Sequence, residues 1–153
     1  MRKFAFILVL MAALLAACQS RTAEVGTAQY YYEQGDEHFK AGNLDQAITD
    51  YNRALEINPR DAEAYNNRGI AYDDKSQHDQ AITDFNRALK INPRLAGAYN
   101  NRGFAYDLKG QYDQAITDYT MALKIDPRYA EAYSNRGGLP ITKKASMTRP
   151  GRI

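Results

Sequence analysis

The sequence predicts an all-α solenoid built from pairs of antiparallel helices. Its strongest signal is an internal repeat: residues 62–95 align without gaps on residues 96–129, and 24 of the 34 positions are identical. Residues 28–61 form a first copy that diverges in its front half, and residues 130–137 begin a fourth. Such a period is typical of units that bury their apolar faces by stacking on neighbours. A composition of 44% hydrophobic and 25% charged residues agrees with a folded chain.

Residues 1–17 are predicted to be a signal peptide. A basic start precedes an unbroken apolar stretch at positions 4–17, which is too short to span a bilayer as a helix. The segment ends in the letters LAAC, which resemble the lipobox of bacterial lipoproteins and imply acylation of Cys18. Gln19 in place of Asp favours, by the same resemblance, anchoring in the outer membrane with the folded part in the periplasm. The alternative is an ordinary secretory leader followed by an incidental cysteine. Residues 18–27 would be the lipidated cysteine and a tether.

The front half of each copy is predicted to form the first helix of a pair. In residues 62–95, Tyr65, Gly69 and Tyr72 recur at i, i+4 and i+7, which gives the helix one apolar stripe. The first copy has His38 at the register of Tyr72. Small residues at the register of Gly69 would let two helix axes approach closely.

The back half of each copy is predicted to form the second helix. Its apolar stripe in the second copy consists of Ala81, Phe85, Ala88 and Leu89. Glycines suit the tight turn before this helix in the outer copies, at Gly42 and Gly110, whereas the second copy has Ser76 there. A proline ends the helix in each copy, at Pro59, Pro93 and Pro127.

This pattern of aromatic, Gly, Tyr, Ala, aromatic, Ala and Pro resembles the tetratricopeptide repeat. The second copy matches at Tyr65, Gly69, Tyr72, Ala81, Phe85, Ala88 and Pro93. The resemblance implies a right-handed superhelix whose concave face is lined by the first helix of each pair. It also implies a protein-interaction adaptor or assembly factor that binds extended peptide segments of other envelope proteins.

The C-terminal part departs from the pattern. After a partial fourth repeat at residues 130–137, Gly137, Gly138 and Pro140 are expected to break the helix, and residues 138–153 are predicted to be a disordered basic tail. Such an end resembles a truncated or frame-shifted piece of a longer array, and a natural basic tail is the alternative. An apolar flank left uncovered on the last repeat would favour self-association.

The candidate peptide-binding groove is centred on three asparagines that recur once in each repeat, Asn67, Asn101 and Asn135. They resemble the asparagine ladder in the tetratricopeptide domain of O-linked N-acetylglucosamine transferase, which holds a peptide backbone. An amide both donates and accepts hydrogen bonds and can therefore bind peptide groups of any sequence. The alternative is that they are exposed helix residues. The other residues in groove registers are Asn66, Asn100, Ile70, Phe104, Glu63, Asp73, Asp74, Asp107 and Glu131.

The predicted groove is polar to acidic and lacks the Lys and Arg set that resembles the carboxylate clamp of chaperone-binding members. Basic or neutral extended segments are therefore the expected ligands. Arginines also recur, at Arg68, Arg102 and Arg136, and aspartates at Asp50, Asp84 and Asp118. We expect them to pair across neighbouring repeats, Asp50 with Arg68 and so on, because unpartnered guanidinium groups are costly to bury.

Several function classes are disfavoured by the sequence. Residues 18–153 carry 18 basic and 18 acidic side chains, so nucleic-acid binding is not expected. His38 and His78, the two histidines, occupy packing registers, and one cysteine cannot form a disulfide or a cysteine-based zinc site within one chain. No catalytic constellation, metal or cofactor is therefore expected. A cell-wall enzyme is the weaker alternative to the adaptor, alongside a fragment without activity of its own.

Overall fold

The computed structural model describes residues 24–139, which contain seven α-helices and no strand. The helices are α1 (Ala28–Lys40), α2 (Leu44–Ile57), α3 (Ala62–Asp74), α4 (His78–Ile91), α5 (Ala96–Leu108), α6 (Tyr112–Ile125) and α7 (Ala130–Gly138). They stack as successive helix-turn-helix pairs, so the predicted all-α solenoid is confirmed. The predicted signal peptide, the lipidated Cys18 and residues 140–153 of the predicted tail lie outside the described residues.

Each pair is held together by an aromatic ring packed on a glycine. A Cβ atom added to Gly69 on α3 would lie 2.6 Å from the ring of Phe85 on α4, closer than real Cβ contacts allow. The same arrangement joins Gly35 to Tyr51 and Gly103 to Tyr119. Because all three rings are at most 1% exposed, the glycine register sets how closely the two helices of a pair approach.

A tight turn joins the helices within each pair. Its middle residue has a positive φ in all three pairs: +77° at Gly42, +59° at Ser76 and +69° at Gly110. Glycine adopts this left-handed conformation without strain, whereas serine does so at a cost. The turn is closed by backbone hydrogen bonds such as that from the N–H of Gln77 to the carbonyl of Tyr72, 2.9 Å.

Small apolar residues form the core between pairs. Ala88 and Leu89 of α4 pack with Ala98 of α5, and Tyr65 and Tyr99 cover the cluster. The equivalent cluster one repeat later consists of Ala122, Leu123 and Ala132, with Tyr99 and Tyr129 around it. Tyr99 contacts both clusters, so the core continues from one repeat to the next.

The end of the last helix corrects one sequence prediction. Gly138 and Leu139 were assigned to the disordered tail, but α7 extends to Gly138, and Leu139 is only 3% exposed. Leu139 packs with Ala115 and Tyr119 of α6. It occupies the register that Ala105 holds one repeat earlier, and Ala105 contacts the preceding pair in the same way. The apolar pattern of the repeat therefore persists beyond the predicted boundary at Gly137.

Candidate binding groove

Two adjoining cavities lie along the face formed by the first helices of the pairs. The first, about 170 Å³, is lined by Asp36, Phe39, Lys40, Tyr51, Asn67 and Ile70. The second, about 200 Å³, is lined by Ile70, Asp73, Asp74, Phe85, Asn101, Phe104, Glu131 and Asn135. Ile70 lines both cavities, so they lie side by side, and we call the two together the groove.

Most of the sequence-predicted site residues line this groove. They are Asn67, Ile70, Asp73, Asp74, Asn101, Phe104, Glu131 and Asn135. Glu63 and Asp107 line neither of the two cavities, and Asp107 is partly buried on α5. Phe39 and Lys40 line the groove but were not among the predicted residues. Phe39 and Lys40 lie one repeat before Asp73 and Asp74, at the same registers, so the period itself could have indicated them.

Asn66 and Asn100 are a correction, because the structure places them inside the solenoid. Their side chains are buried, and residue exposure is 7% for Asn66 and 1% for Asn100. The Oδ1 of Asn66 accepts a hydrogen bond from Nδ2 of Asn101 at 3.0 Å, and that of Asn100 accepts one from Asn135 at 3.1 Å. These two buried asparagines therefore hold the side chains of Asn101 and Asn135 in place from inside the solenoid.

The ladder asparagines connect neighbouring first helices. Nδ2 of Asn67 donates to the hydroxyl of Tyr32 at 3.0 Å and to Asp36 at 3.1 Å, whereas Asn101 and Asn135 donate to the buried asparagines of the preceding repeat. Among residues 24–139, no group donates to the Oδ1 of Asn101 or of Asn135. These two carbonyl oxygens are therefore available to accept a backbone N–H from a ligand.

The groove is acidic at its C-terminal end. Its second cavity has three carboxylates, Asp73, Asp74 and Glu131, and no basic side chain among its lining residues. Burial, with the nearby Asp73 as the second cause, raises the pKa of Asp74. Burial also raises the pKa of Asp107. A hydrogen bond of 2.6 Å joins Asp73 to Nδ1 of His78, and Oε1 of Glu131 accepts one from Nδ2 of Asn100 at 3.2 Å. Asp74 is therefore the carboxylate best placed for a ligand.

In the first cavity the carboxylate is already satisfied. Asp36 accepts hydrogen bonds from the hydroxyl of Tyr51 at 2.6 Å and from Asn67. Burial, followed by the charge of Asp36, raises the pKa of Tyr32 to about 12. At this end of the groove, Phe39 and Ile70 therefore provide an apolar surface. The hydrogen-bonded side chains of Asp36, Tyr51 and Asn67 line the same cavity.

The arginine ladder pairs within repeats, which corrects the predicted pairing across repeats. Arg68 binds Asp84, and Arg102 binds Asp118, each through two hydrogen bonds of 2.7 Å. The contact across repeats is made instead to an asparagine, from Nη1 of Arg68 to Asn52 at 2.5 Å. Asp50 has other partners, His38 and Arg53, so it is not free to bind Arg68.

A second link between repeats was absent from the sequence predictions. Lys75 forms an ion pair with Asp45, and Lys109 forms the equivalent pair with Asp79. Both partners recur at the same registers in the next repeat, which is the signal that could have indicated them. In the part of the chain that the structure describes, no group of three or more His, Cys, Asp or Glu residues could hold a metal ion. No helix in that part is long and apolar enough to cross a bilayer.

Comparison with known proteins identifies this architecture. The family model described as "TPR repeat" matches residues 35–75, and that of the tetratricopeptide repeat matches residues 62–95 and 96–129. Together they cover more than half of the 153 residues. The chain belongs to the tetratricopeptide-repeat (TPR) family.

Solved TPR structures resemble this chain over most of its length. The first TPR of Spaghetti (RPAP3), bound to the HSP90 peptide SRMEEVD, is 27% identical with a TM-score of 0.72, covering 76% of this chain and 93% of that one. The Arabidopsis OM64 TPR domain is 26% identical with a TM-score of 0.71, covering 72% of this chain and 91% of that one. A curated relative, the SGT1 homolog of Oryza sativa subsp. japonica, is 36% identical over 53 residues. Those residues are 35% of this chain and span 14% of that relative's length.

Proposed function

We propose that this TPR protein is a membrane-anchored adaptor that binds an extended peptide segment of another envelope protein in its groove. The observation that carries the proposal is that no group among residues 24–139 donates to the Oδ1 of Asn101 or of Asn135, which lie in a cavity that also presents the exposed ring of Phe104. Regularly spaced carbonyl oxygens accept the N–H groups of an extended backbone, and the apolar ring receives a side chain.

The expected ligand is basic or neutral. The similar RPAP3 domain binds an acidic HSP90 peptide, SRMEEVD. In this chain the second cavity carries three carboxylates without a basic residue, so an acidic tail would be repelled there. A lysine or arginine side chain lying beside Asp74 and Glu131 would be favoured instead.

The anchoring part of the proposal is supported by the N-terminal sequence. In the lipobox-like letters LAAC, Cys18 follows an apolar stretch directly, and Gln19 favours the outer membrane. Acyl chains contribute about 0.8 kcal/mol per buried methylene, so two or three of them hold a protein to a membrane. The groove would then face partners in the periplasm. Incorporation of labelled palmitate in a bacterial host, lost in Cys18→Ser, tests this part.

The groove is tested by affinity capture from a bacterial envelope extract. The full chain is compared with the double variant Asp74→Lys/Phe104→Ser, which changes two exposed groove residues. The matched control is Glu56→Lys, an exposed acidic residue on α2 that lines neither cavity. Circular dichroism verifies that all three proteins are folded.

We expect the full chain and Glu56→Lys to retain the same partner, and the groove variant to lose it. A partner held equally by all three proteins would contradict the groove as the binding site. A partner lost by Glu56→Lys as well would indicate charge attraction without a specific site.

A further inference from the structure

The last residue of each of the first helices α1, α3 and α5 changes in chemistry from one repeat to the next. These residues are Lys40, Asp74 and Leu108, which occupy the same register of the repeat. Lys40 lines the first cavity of the groove, and Asp74 lines the second. All three residues are exposed. Along the groove, this register therefore presents a positive charge, a negative charge and an apolar side chain in turn.

Lys40 supplies the available charge of the first cavity. Asp36, the carboxylate that lines the same cavity, accepts hydrogen bonds from the hydroxyl of Tyr51 and from Asn67. Among residues 24–139, no carboxylate forms an ion pair with Lys40. An exposed ammonium group without a partner attracts an acidic side chain of a ligand.

Asp74 supplies the opposite charge one repeat later. The other two carboxylates of the second cavity already have partners, since Asp73 binds His78 and Glu131 accepts a hydrogen bond from Asn100. In the part of the chain that the structure describes, no group donates a hydrogen bond to Asp74. A basic side chain of a ligand would therefore be favoured beside this residue.

Leu108 makes the third position apolar. It is 52% exposed and lies one helical turn after Phe104, which is 42% exposed, so the two side chains share one face of α5. The equivalent residues one repeat earlier are Ile70 and Asp74, so only the third repeat has apolar side chains at both registers. A large apolar side chain of a ligand would remove this surface from water.

The distance between these positions suits an extended chain. The first helices of neighbouring repeats contact each other through hydrogen bonds such as that from Asn101 to Asn66, 3.0 Å. The axes of packed helices lie about 8–10 Å apart. Three residues of an extended chain span about 10 Å. Every third residue of an extended ligand would therefore lie beside the next position of the register.

We infer that the groove selects an extended segment in which an acidic, a basic and a large apolar residue follow one another at every third position. The acidic side chain pairs with Lys40, the basic one pairs with Asp74, and the apolar one packs on Leu108 and Phe104. The inference rests on the proposed function, because it requires that the groove binds an extended segment. The asparagine amides bind any backbone, whereas this register selects the sequence.

The test uses four designed peptides, blocked at both ends and labelled with an uncharged dye. GESTKSTLG and GLSTKSTEG carry the pattern in the two possible chain directions, and GKSTESTLG and GLSTESTKG have the two charges exchanged. Anisotropy is measured against the full chain, kept in solution by a mild detergent. All four peptides have the same composition, so only the order of the side chains differs. One of the first two, the pattern peptide, should bind at least about tenfold more tightly than both charge-exchanged peptides.

Protein variants assign the positions. Lys40→Glu should weaken binding of the pattern peptide about tenfold and should favour a version with lysine in place of its glutamate. The matched control is Lys90→Glu, an exposed lysine on α4 that lines neither cavity, and it should leave the affinity unchanged. Leu108→Ser should weaken binding of the pattern peptide but not that of a version with serine in place of its leucine. Circular dichroism verifies that the variants are folded.

Three results would overturn the inference. Equal affinity for the pattern and charge-exchanged peptides would mean that the groove binds extended segments regardless of their sequence, and the proposed function would then stand alone. The second result is an equal loss of affinity in Lys40→Glu and Lys90→Glu, and the third is the absence of binding by all four peptides. In these two cases, the affinity capture with Asp74→Lys/Phe104→Ser tests the proposed function separately.

Discussion

Arg68 binds Asp84 of its own repeat through two parallel hydrogen bonds, from Nε to Oδ2 and from Nη2 to Oδ1, each 2.7 Å long. The side chains are only 18% and 5% exposed. Removing one partner of such a buried pair leaves the other charge uncompensated. Asp84→Ala should therefore lower the free energy of unfolding by about 3 kcal/mol, measured by urea denaturation.

The control for this prediction is Asp79→Ala. Asp79 pairs with Lys109, but its side chain is 84% exposed, so its loss should cost less than about 1 kcal/mol. A double-mutant cycle between Arg68 and Asp84 should show strong coupling, and one between Arg68 and Asp50 little. Strong coupling between Arg68 and Asp50 would instead support the pairing across repeats that the sequence predicted.

Tyr51 and Tyr119 occupy the same register but differ in their hydroxyl contacts. The hydroxyl of Tyr51 donates to Asp36, whereas that of Tyr119 is buried without a hydrogen-bond partner among the described residues. Tyr51→Phe should destabilise the protein by about 1 to 2 kcal/mol, while Tyr119→Phe should be neutral or stabilising. Phe85 already shows that this register accepts a ring without a hydroxyl. Thermal melts of both variants test this difference, and equal losses of stability would contradict it.

Ser76 is the one residue other than glycine with a positive φ among those that the structure describes. Its left-handed conformation costs about 1 kcal/mol relative to glycine. Ser76→Gly should therefore raise the melting temperature. The reciprocal change, Gly110→Ser, should lower the melting temperature by a similar amount. A lower melting temperature in both variants would contradict backbone strain at Ser76.

Gly69 and Gly137 should respond to alanine in opposite directions. Gly69→Ala places a Cβ against Phe85 and should destabilise by about 1 to 3 kcal/mol. The Cβ of Gly137→Ala meets no atom of residues 24–139 within 4 Å, and the variant should gain up to about 1 kcal/mol from helix propensity. Chemical denaturation of the two variants compares them directly, and a similar loss in both would show that ring packing is not the cause.

Acidification should weaken binding of a basic ligand in the groove. Since burial, followed by Asp73, raises the pKa of Asp74, this carboxyl takes up its proton at a higher pH than an ordinary aspartate. The affinity of a lysine-containing peptide should therefore begin to fall at a higher pH than it would with an ordinary aspartate there. Asp74→Asn should remove this early part of the pH profile, and an unchanged profile would exclude Asp74 as the titrating group.

The same raised pKa has the opposite effect on stability. A carboxyl whose pKa is higher in the folded protein than in the unfolded one destabilises the fold above its folded pKa, and this penalty disappears as the pH falls. Asp74→Asn should therefore raise the melting temperature slightly at neutral pH while it weakens binding of a basic ligand.

The period allowed the helices and the glycine–aromatic contacts to be predicted from sequence, because both recur at fixed registers. The partners of the arginines could not be predicted. Asp50 precedes Arg68 and Asp84 follows it at a similar separation along the chain, and the sequence does not show which helix the guanidinium faces.

The groove residues were predicted in part for a similar reason. Asn66 and Asn67 are adjacent and chemically identical, yet one is buried between repeats and the other lines the groove. Only the rotation of α3 about its axis distinguishes them. Leu139 was missed because Gly137 and Gly138 precede it, although it keeps the apolar register of Ala105.

The hydrogen bonds between asparagines of neighbouring first helices also determine how strongly the solenoid resists bending and twisting. Opening or twisting the groove would stretch the bonds from Asn101 to Asn66 and from Asn135 to Asn100, which lie on its inner side. The ion pairs of Lys75 and Lys109 would add little resistance, because their aspartates are 85% and 84% exposed. Among the residues that the structure describes, the groove is therefore stiffened mainly from its inner side. A stiff groove selects segments of matching width and transmits a pull at one end directly to the other.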